Sequence, residues 1–585
     1  MRRSLAIVSV IAASFAALHC GGSAVGTGPD AGDGGVGSEA GVTPGSPDAV
    51  GATTSSKVDL LLVVDNSSSM ADKAKLLAAS LGTLLKRVTS AGDVHVGVIS
   101  SSLGSFGGDT CPDTGAYNGR AHLSTVGPDN VPVAAAAKGF LTYGGEGDPS
   151  PVPQTINAFI ADAEKLVIGV GESGCGLKAQ LESAYRFLVQ PDPWGSVRIN
   201  QFNQAEYEGI DIDVLDQRKA FLRPDSLVVV VLLTDEEDSS PDPLSVGGQG
   251  WAFSANQFPG SPVFRADGKT TTGPRATSAC ETNPGSADCT SCAFAATCNP
   301  ADSACQAIKS DPVCQKNGGY YGPTDDQLNV RYHRMKERFG IDPQFPISRY
   351  VDGFTKQKVP DRAAEHSVKP RADGKGADIG GYIGTPKCTN PLFAASLPSN
   401  QGDEICDLPQ GPRGKELVIF AVIGGVPEEL ATASPDWNRI LGANPAAFDF
   451  SGIDSHMIQA TVSRPGLPPP STTRGDNGTD PVHGREWDTN NNDLQFACTF
   501  ALPQARTCTP QDASCDCTAT SNPPLCGATV GTQLRGKAYP SIRELRVVRD
   551  LGDRGIVGSI CPGDSAAGYA STMTTLADRL APRIK

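Results

Sequence analysis

Histidine is scarce in this chain of 585 residues: only 7 are present, and none sits in a recognisable motif. A nucleophilic serine needs a nearby base, and a metallohydrolase needs clustered histidines or carboxylates to activate water. The composition therefore argues against both. Positive charge is also in short supply, with 49 Lys and Arg against 64 Asp and Glu, a net charge of -15. That balance excludes nucleic acid as a natural partner and disfavours anionic lipid surfaces. The apolar run Leu5 to Leu18 is too short to span a membrane; behind Arg2 and Arg3 it reads as the core of a secretory signal. No internal repeat is evident. From residue 21 to 56 large apolar side chains are almost missing, while glycine supplies 11 of the 36 positions. Such a stretch cannot bury a core and should be disordered, a flexible coil spanning roughly 30–35 Å.

What is present in quantity is cysteine, 17 in all. Ala17-Leu18-His19-Cys20-Gly21 resembles the end of a bacterial lipoprotein signal, in which the cysteine becomes the lipidated first residue. Cys20 is thus expected to carry a lipid that anchors the protein to a membrane, with residues 21–56 as a tether. The 16 remaining cysteines can all pair in an oxidising compartment. The expected location is the cell envelope, outer membrane or surface, or the secreted fraction.

The stretch that organises the rest is Val58 to Asp72, VDLLLVVDNSSSMAD. Leu60 to Val64 is an unbroken apolar run, which suits a strand covered on both faces in a parallel sheet. Asp65, Ser67 and Ser69 follow at alternate positions, so one loop can turn three oxygens towards a point. Ser69-Met-Ala-Asp72 predicts a capping box for the next helix. On that helix Leu77, Leu81, Leu84 and Val88 form one apolar face. This strand, loop and helix resemble the metal-ion-dependent adhesion site of von Willebrand factor A domains, including large bacterial lipoproteins of that kind.

Further along, Val94 to Ile99 predicts a second strand and Gly139 to Tyr143 an edge strand. Gly171-Glu-Ser-Gly-Cys-Gly176 leads into a helix with Leu177, Leu181, Ala184, Tyr185 and Leu188 on one face. The family has a threonine ligand in this loop, and the resemblance carries it to Ser173. Leu227 to Leu233 is the strongest strand in the chain and ends in Thr234-Asp235-Glu236-Glu237-Asp238. A carboxylate there sits where open α/β sheets bind ligands, and Asp235 matches the family's second aspartate. Glu236 stands where the family has glycine. Glu236, Glu237 and Asp238 read as a solvated acidic loop that could select a partner with basic residues. Leu417 to Ile423 resumes the sheet, Ser541 to Leu551 reads as a helix, Gly555 to Ile560 as the last strand, and Asp564 to Leu580 as the final helix. His95 inside the second strand reads as a core residue.

The predicted class is α/β, a doubly wound and mostly parallel sheet over residues 57–585, interrupted by insertions at 236–415 and 427–539. The first insertion holds six cysteines between Cys280 and Cys314. Cys289 and Cys292 have zinc-ligand spacing, but disulfides are the expected use in an exported chain. The same insertion predicts one amphipathic helix capped by Thr324 and Gln327, lined by Leu328, Tyr332, Met335 and Phe339, and ended by Gly340. Cys175 and Cys111 are expected to pair and brace the loop face; Cys388 and Cys406 are expected to pair with each other. Cys498 is one candidate partner for Cys561.

The resemblance implies a divalent cation held by Asp65, Ser67, Ser69, Ser173 and Asp235. These are hard oxygen donors suited to Mg²⁺ first, then Mn²⁺ or Ca²⁺. It also implies a protein partner that offers an acidic residue to the metal, so the expectation is adhesion without enzymatic activity. Two alternatives stand beside it. The metal could only stabilise a structural surface protein. Or Ser173, in Gly171-Glu-Ser173-Gly-Cys175, could be a hydrolase nucleophile; the G-x-S-x-G pattern lacks its closing glycine here.

Overall fold

The computed structural model describes residues 53–145, 155–259, 272–370, 377–400, 402–509, 512 and 514–585. The signal, the lipidation residue Cys20 and nearly all of the 21–56 leader lie outside the described residues.

The run Leu60–Val64 lies in strand β1 (Lys57–Val64), with Val58 and all of Leu60 to Val64 fully buried. Parallel pairing surrounds it with β2 (Asp93–Ser100) on one side and β4 (Leu227–Leu233) on the other. Strand β5 (Val418–Gly424) pairs parallel with β4, and β8 (Gly555–Ser559) pairs parallel with β5. The edge strand β3 (Phe140–Gly144) runs antiparallel to β2. The six-stranded sheet thus has the order β8-β5-β4-β1-β2-β3 and is parallel except at one edge.

Each central strand sends alternate residues into separate cores. Leu60, Leu62, Val229 and Val231 join α1 (Ala71–Val88), α2 (Ile156–Gly169) and α8 (Ala570–Leu580) on one face. Leu61, Val63, Val228 and Val230 join α3 (Gln180–Leu188), α4 (Ile212–Phe221), α6 (Ile347–Gly353) and α7 (Ile542–Asp550) on the other. This double covering explains the unbroken apolar runs and is consistent with a doubly wound α/β fold. The predicted stripe Leu77, Leu81, Leu84 and Val88 is fully buried. His95, expected in the core, is only partly buried, with its Nδ1 2.7 Å from the Phe221 carbonyl.

The long segments outside the sheet are rich in turns. Residues 328–340 differ from expectation: a turn at Leu328–Val330 and the short helix α5 (Met335–Phe339) replace one amphipathic helix. Arg334 between them has φ 46°, which interrupts helical hydrogen bonding, although Tyr332, Met335 and Phe339 are buried as predicted. The last helix starts at Ala570, later than the predicted Asp564. The second long segment contributes a hairpin, β6 (Cys498–Thr507) with β7 (Thr532–Ala538).

All 16 cysteines of the described residues form disulfides, which implies an oxidising compartment. Cys111–Cys175, Cys388–Cys406 and Cys498–Cys561 pair. Cys289 pairs with Cys280 and Cys292 with Cys314, so the zinc spacing is used for disulfides. Among the described residues no helix is long and apolar enough to cross a membrane.

Cys111 and Cys175 are 64 residues apart. A cross-link of that span stabilises by about 4 kcal/mol through the unfolded chain. The C111S/C175S variant should lose about that much in urea unfolding with the other disulfides intact; an unchanged midpoint would show that the bond does not constrain the unfolded chain.

Candidate metal centre

The C-terminal ends of β2, β1 and β4 continue the parallel ladder for one more residue. Ser101 N–H donates to Val64 O (3.1 Å), Asp65 N–H to Leu233 O (2.9 Å), and Thr234 N–H to Ile423 O (3.1 Å). These bonds place Asp65 and Asp235 side by side, both fully buried. The Asp65 carboxylate accepts from Thr234 Oγ1 (2.7 Å) on one oxygen and from Ser67 N–H (2.9 Å) and Ser101 Oγ (3.2 Å) on the other. Asp235 Oδ2 accepts from Ser69 Oγ (2.7 Å). Two buried oxygens, Ser67 Oγ and Asp235 Oδ1, have no hydrogen-bond partner.

Four of the five predicted ligands are therefore brought together: Asp65, Ser67, Ser69 and Asp235. The fifth, Ser173, lies exposed on the adjoining loop, and no hydrogen bond to it occurs among the described residues. Its neighbour Gly174 donates to Asn66 O (2.6 Å), and a Cβ at Gly174 would meet the Asn66 side chain at 2.2 Å. Only glycine allows that close approach, so the loop is held against the Asp65–Ser69 turn. Ser102 Oγ links the two loops, donating to Asn66 Oδ1 (2.7 Å) and accepting from Cys175 N–H (2.9 Å). The hydroxyls that bond Asp65 are those of Thr234 and Ser101, not that of Ser173.

The predicted capping box does not form. Ser69 has φ 82° and uses its hydroxyl on Asp235; helix α1 starts after Met70 with no local side-chain cap. Instead Glu172 Oε2 accepts from Ala71 N–H (3.2 Å), a carboxylate from another loop at the positive end of the helix. Residues 166–169, the strand that a nucleophile elbow at Ser173 would require, belong to helix α2.

Lys73 is the residue that the sequence pattern did not single out. Its ammonium lies 2.8 Å from Asp235 Oδ2 and donates to Ser69 O at 2.8 Å, with only 2% of the side chain exposed. It sits four residues before Leu77 on the buried stripe, so its position was legible as a charge on an apolar face. Lys178, also buried, is ion-paired with Glu236. The acidic loop is not solvated as expected. Asp238 is fully buried and accepts from Leu181 N–H (3.0 Å) and Ser240 Oγ (2.6 Å). Glu237 accepts from Arg543 N–H (3.0 Å) and Gln459 Nε2 (2.5 Å). Both acids are thus engaged internally.

Burial and the neighbouring Asp235 push the Asp65 carboxyl up to about 6, against the pull of Lys178. Burial acts on Asp235 too, but Lys73 and the Ser69 hydroxyl outweigh it and hold this carboxyl below the usual range. Three carboxylates, Asp65, Asp235 and Glu236, thus face two ammonium groups. The unpartnered oxygens are hard donors, and with both carboxylates they fit a small divalent cation. Lys73 competes for the same carboxylate. Beside the cluster opens a cavity of about 320 Å³, lined by Lys178, Glu236, Tyr332, His333, Asp493 and Tyr539 among others.

No protein-family model and no curated protein matches this chain. Among solved structures, the pilus adhesin RrgA from Streptococcus pneumoniae aligns with 12% identity and a TM-score of 0.16. The alignment covers 68% of this chain and 42% of that one, a superposition too loose to define a shared fold.

The raised Asp65 carboxyl sets a pH dependence in the metal-free protein. Its folded value near 6 exceeds the ordinary unfolded value near 4, so the folded state binds the proton more tightly. That contribution is present in full below pH ~4 and is lost as pH rises through about 6, a change of about 2–3 kcal/mol. In EDTA, the stability of Asp65→Asn relative to wild type should rise by about this amount between pH 4 and pH 7.5; parallel urea-unfolding curves at the two pH values would contradict it.

Proposed function

We propose that this is an exported von Willebrand A-type protein that takes up a divalent cation, Mg²⁺ in preference, at Asp65, Ser67, Ser69 and Asp235. The cation serves adhesion or scaffolding by holding an acidic group of a protein partner. The observation that carries the reading is the convergence of two carboxylates and two hydroxyls at the C-terminal edge of a parallel sheet, with Ser67 Oγ and Asp235 Oδ1 buried and unpartnered. Ser68 and Ser173 are exposed beside them, which leaves an approach for a partner. Ser173 joins the ligand set only if its loop shifts inward. The lipid at Cys20 and the tether would present the site away from a membrane.

A second reading is favoured by one observation. Lys73 already neutralises Asp235, as a cluster built only to join β1, β4 and α1 would require. In this reading any metal stabilises the fold and recruits nothing.

Calorimetric titration of Mg²⁺ and Mn²⁺ into the metal-stripped protein separates the two. The adhesion reading expects saturable uptake at a single site, abolished in Asp65→Ala, and Mg²⁺-dependent capture of immobilised Asp- or Glu-containing peptides lost in the same variant. Removing the competing ammonium in Lys73→Met should tighten Mg²⁺ binding about tenfold, equivalent to about 1.4 kcal/mol. It should also cost about 3–5 kcal/mol of metal-free stability, because a buried carboxylate loses its partner. Absence of uptake in both wild type and Lys73→Met would overturn the metal site. Uptake without peptide capture would favour the structural reading.

A further inference from the structure

Between β5 and β6 the chain forms no strand and only short helical turns. Two of its histidines nevertheless meet edge-on, with ring centroids 4.9 Å apart and planes at 82°. Their inner nitrogens converge on one carboxylate oxygen: His456 Nε2 is 3.2 Å and His483 Nδ1 3.1 Å from Asp480 Oδ1. The outer nitrogens are each held by another acid. His456 Nδ1 lies 2.8 Å from Asp454 Oδ1, and His483 Nε2 lies 2.7 Å from Glu486 Oε1. These acids are oriented in turn by Arg439 and Arg464, at 2.5 and 2.7 Å.

We propose that His456, His483 and Asp480 form a transition-metal site, taking Zn²⁺ in preference, that pins this segment into its fold. Three features support it. First, each outer nitrogen faces an acid able to accept its N–H, the arrangement that would leave the inner lone pairs facing Asp480 and the second-sphere pattern of histidine metal ligands. Second, Asp480 Oδ1 already accepts two backbone N–H groups, from Val482 (2.8 Å) and His483 (3.0 Å). These two donors fix the carboxylate with this oxygen turned towards both rings. Third, the spacing fits. A tetrahedral ion with bonds of about 2.0–2.1 Å sets its ligand atoms about 3.3 Å apart; Asp480 Oδ1 lies 3.1 and 3.2 Å from the two rings, and the three ligand atoms all lie within 4.8 Å of one another.

The donor set of two imidazoles and one carboxylate is borderline in hardness and suits zinc over magnesium. It differs in this from the all-oxygen cluster around Asp65. Asp480 retains 14% exposure, so solvent can supply the fourth ligand. No thiolate competes, because every cysteine of the described residues is in a disulfide. Two other residue groups are weaker. Cys388 and Cys406 near Asp361 are already paired, and the His122–Asp211–Asp213 group has one histidine and an Asp211 held by Arg186 at 2.7 Å. The pinned segment bears on the sheet, since Gln459 bonds Glu237 beside Asp235.

The test loads the full chain with ZnCl₂, removes free metal by gel filtration and measures zinc by mass spectrometry. In parallel, Co²⁺ is titrated and followed by visible absorption. The expected result is a single retained zinc per chain and an intense tetrahedral Co²⁺ spectrum that zinc abolishes. Affinity should fall about 100-fold in His456→Gln and about 10- to 100-fold in Asp454→Asn, which leaves all three ligands in place. Asp65→Ala should keep the zinc. Substoichiometric zinc with no tetrahedral Co²⁺ spectrum in the wild type would overturn the proposal. So would zinc retained with unchanged affinity in both His456→Gln and Asp454→Asn, which would place the ion elsewhere.

Discussion

Asp65 and Asp235 leave the ends of neighbouring strands with no water to share their charge. Asp65 is fixed by an extra rung of the parallel ladder, and Asp235 follows the rung made by Thr234 and accepts from Tyr539 N–H, so neither can retreat to solvent without breaking these bonds. An isolated carboxylate in such a place costs several kcal/mol. The surrounding structure answers that cost group by group. Thr234 and Ser101 donate to Asp65, Ser69 donates to Asp235, and Lys73 reaches from the first turn of α1 to supply the positive charge. The left-handed turn at Ser69, the borrowed cap from Glu172 and the close approach at Gly174 all follow from bringing these donors to one place.

The same pairing of buried charge recurs in the long segments outside the sheet. Arg349, itself buried, bridges Glu182 on α3 and Glu365, so the first segment is tied to the sheet layer by ions as well as by apolar packing. Arg331 pairs with Asp326 and Arg464 with Glu486 in the same manner. Pairs of this kind add little net stability but strongly penalise any other arrangement, because an unpaired buried charge is intolerable. With the disulfides they let these turn-rich segments, whose regular elements are short, hold a single shape.

The sheet was legible in the sequence because its strands are buried on both faces, and seven consecutive apolar residues such as Leu227–Leu233 suit little but a central strand. The Asp65-x-Ser67-x-Ser69 turn was legible for the same reason, since its polar residues abut such a run. Two parts were not. Residues 328–340 carry a helical period, yet Arg334 breaks the helix; the burial of Tyr332, Met335 and Phe339 is satisfied either way, so periodicity could not discriminate. The acidic run after Leu233 looked solvated because partners such as Arg543 and Gln459 lie hundreds of residues away. Lys73 could have been found locally, as the one charge on the stripe running through Leu77, Leu81 and Leu84.

The ammonium of Lys73 also bears on the order of events after export. A cluster that carries its own counter-charge need not wait for an ion before its strands can close. The sheet can then close around this cluster in a metal-poor space. Uptake of an ion, as proposed for this cluster, would then be a later and reversible step governed by what the surroundings supply.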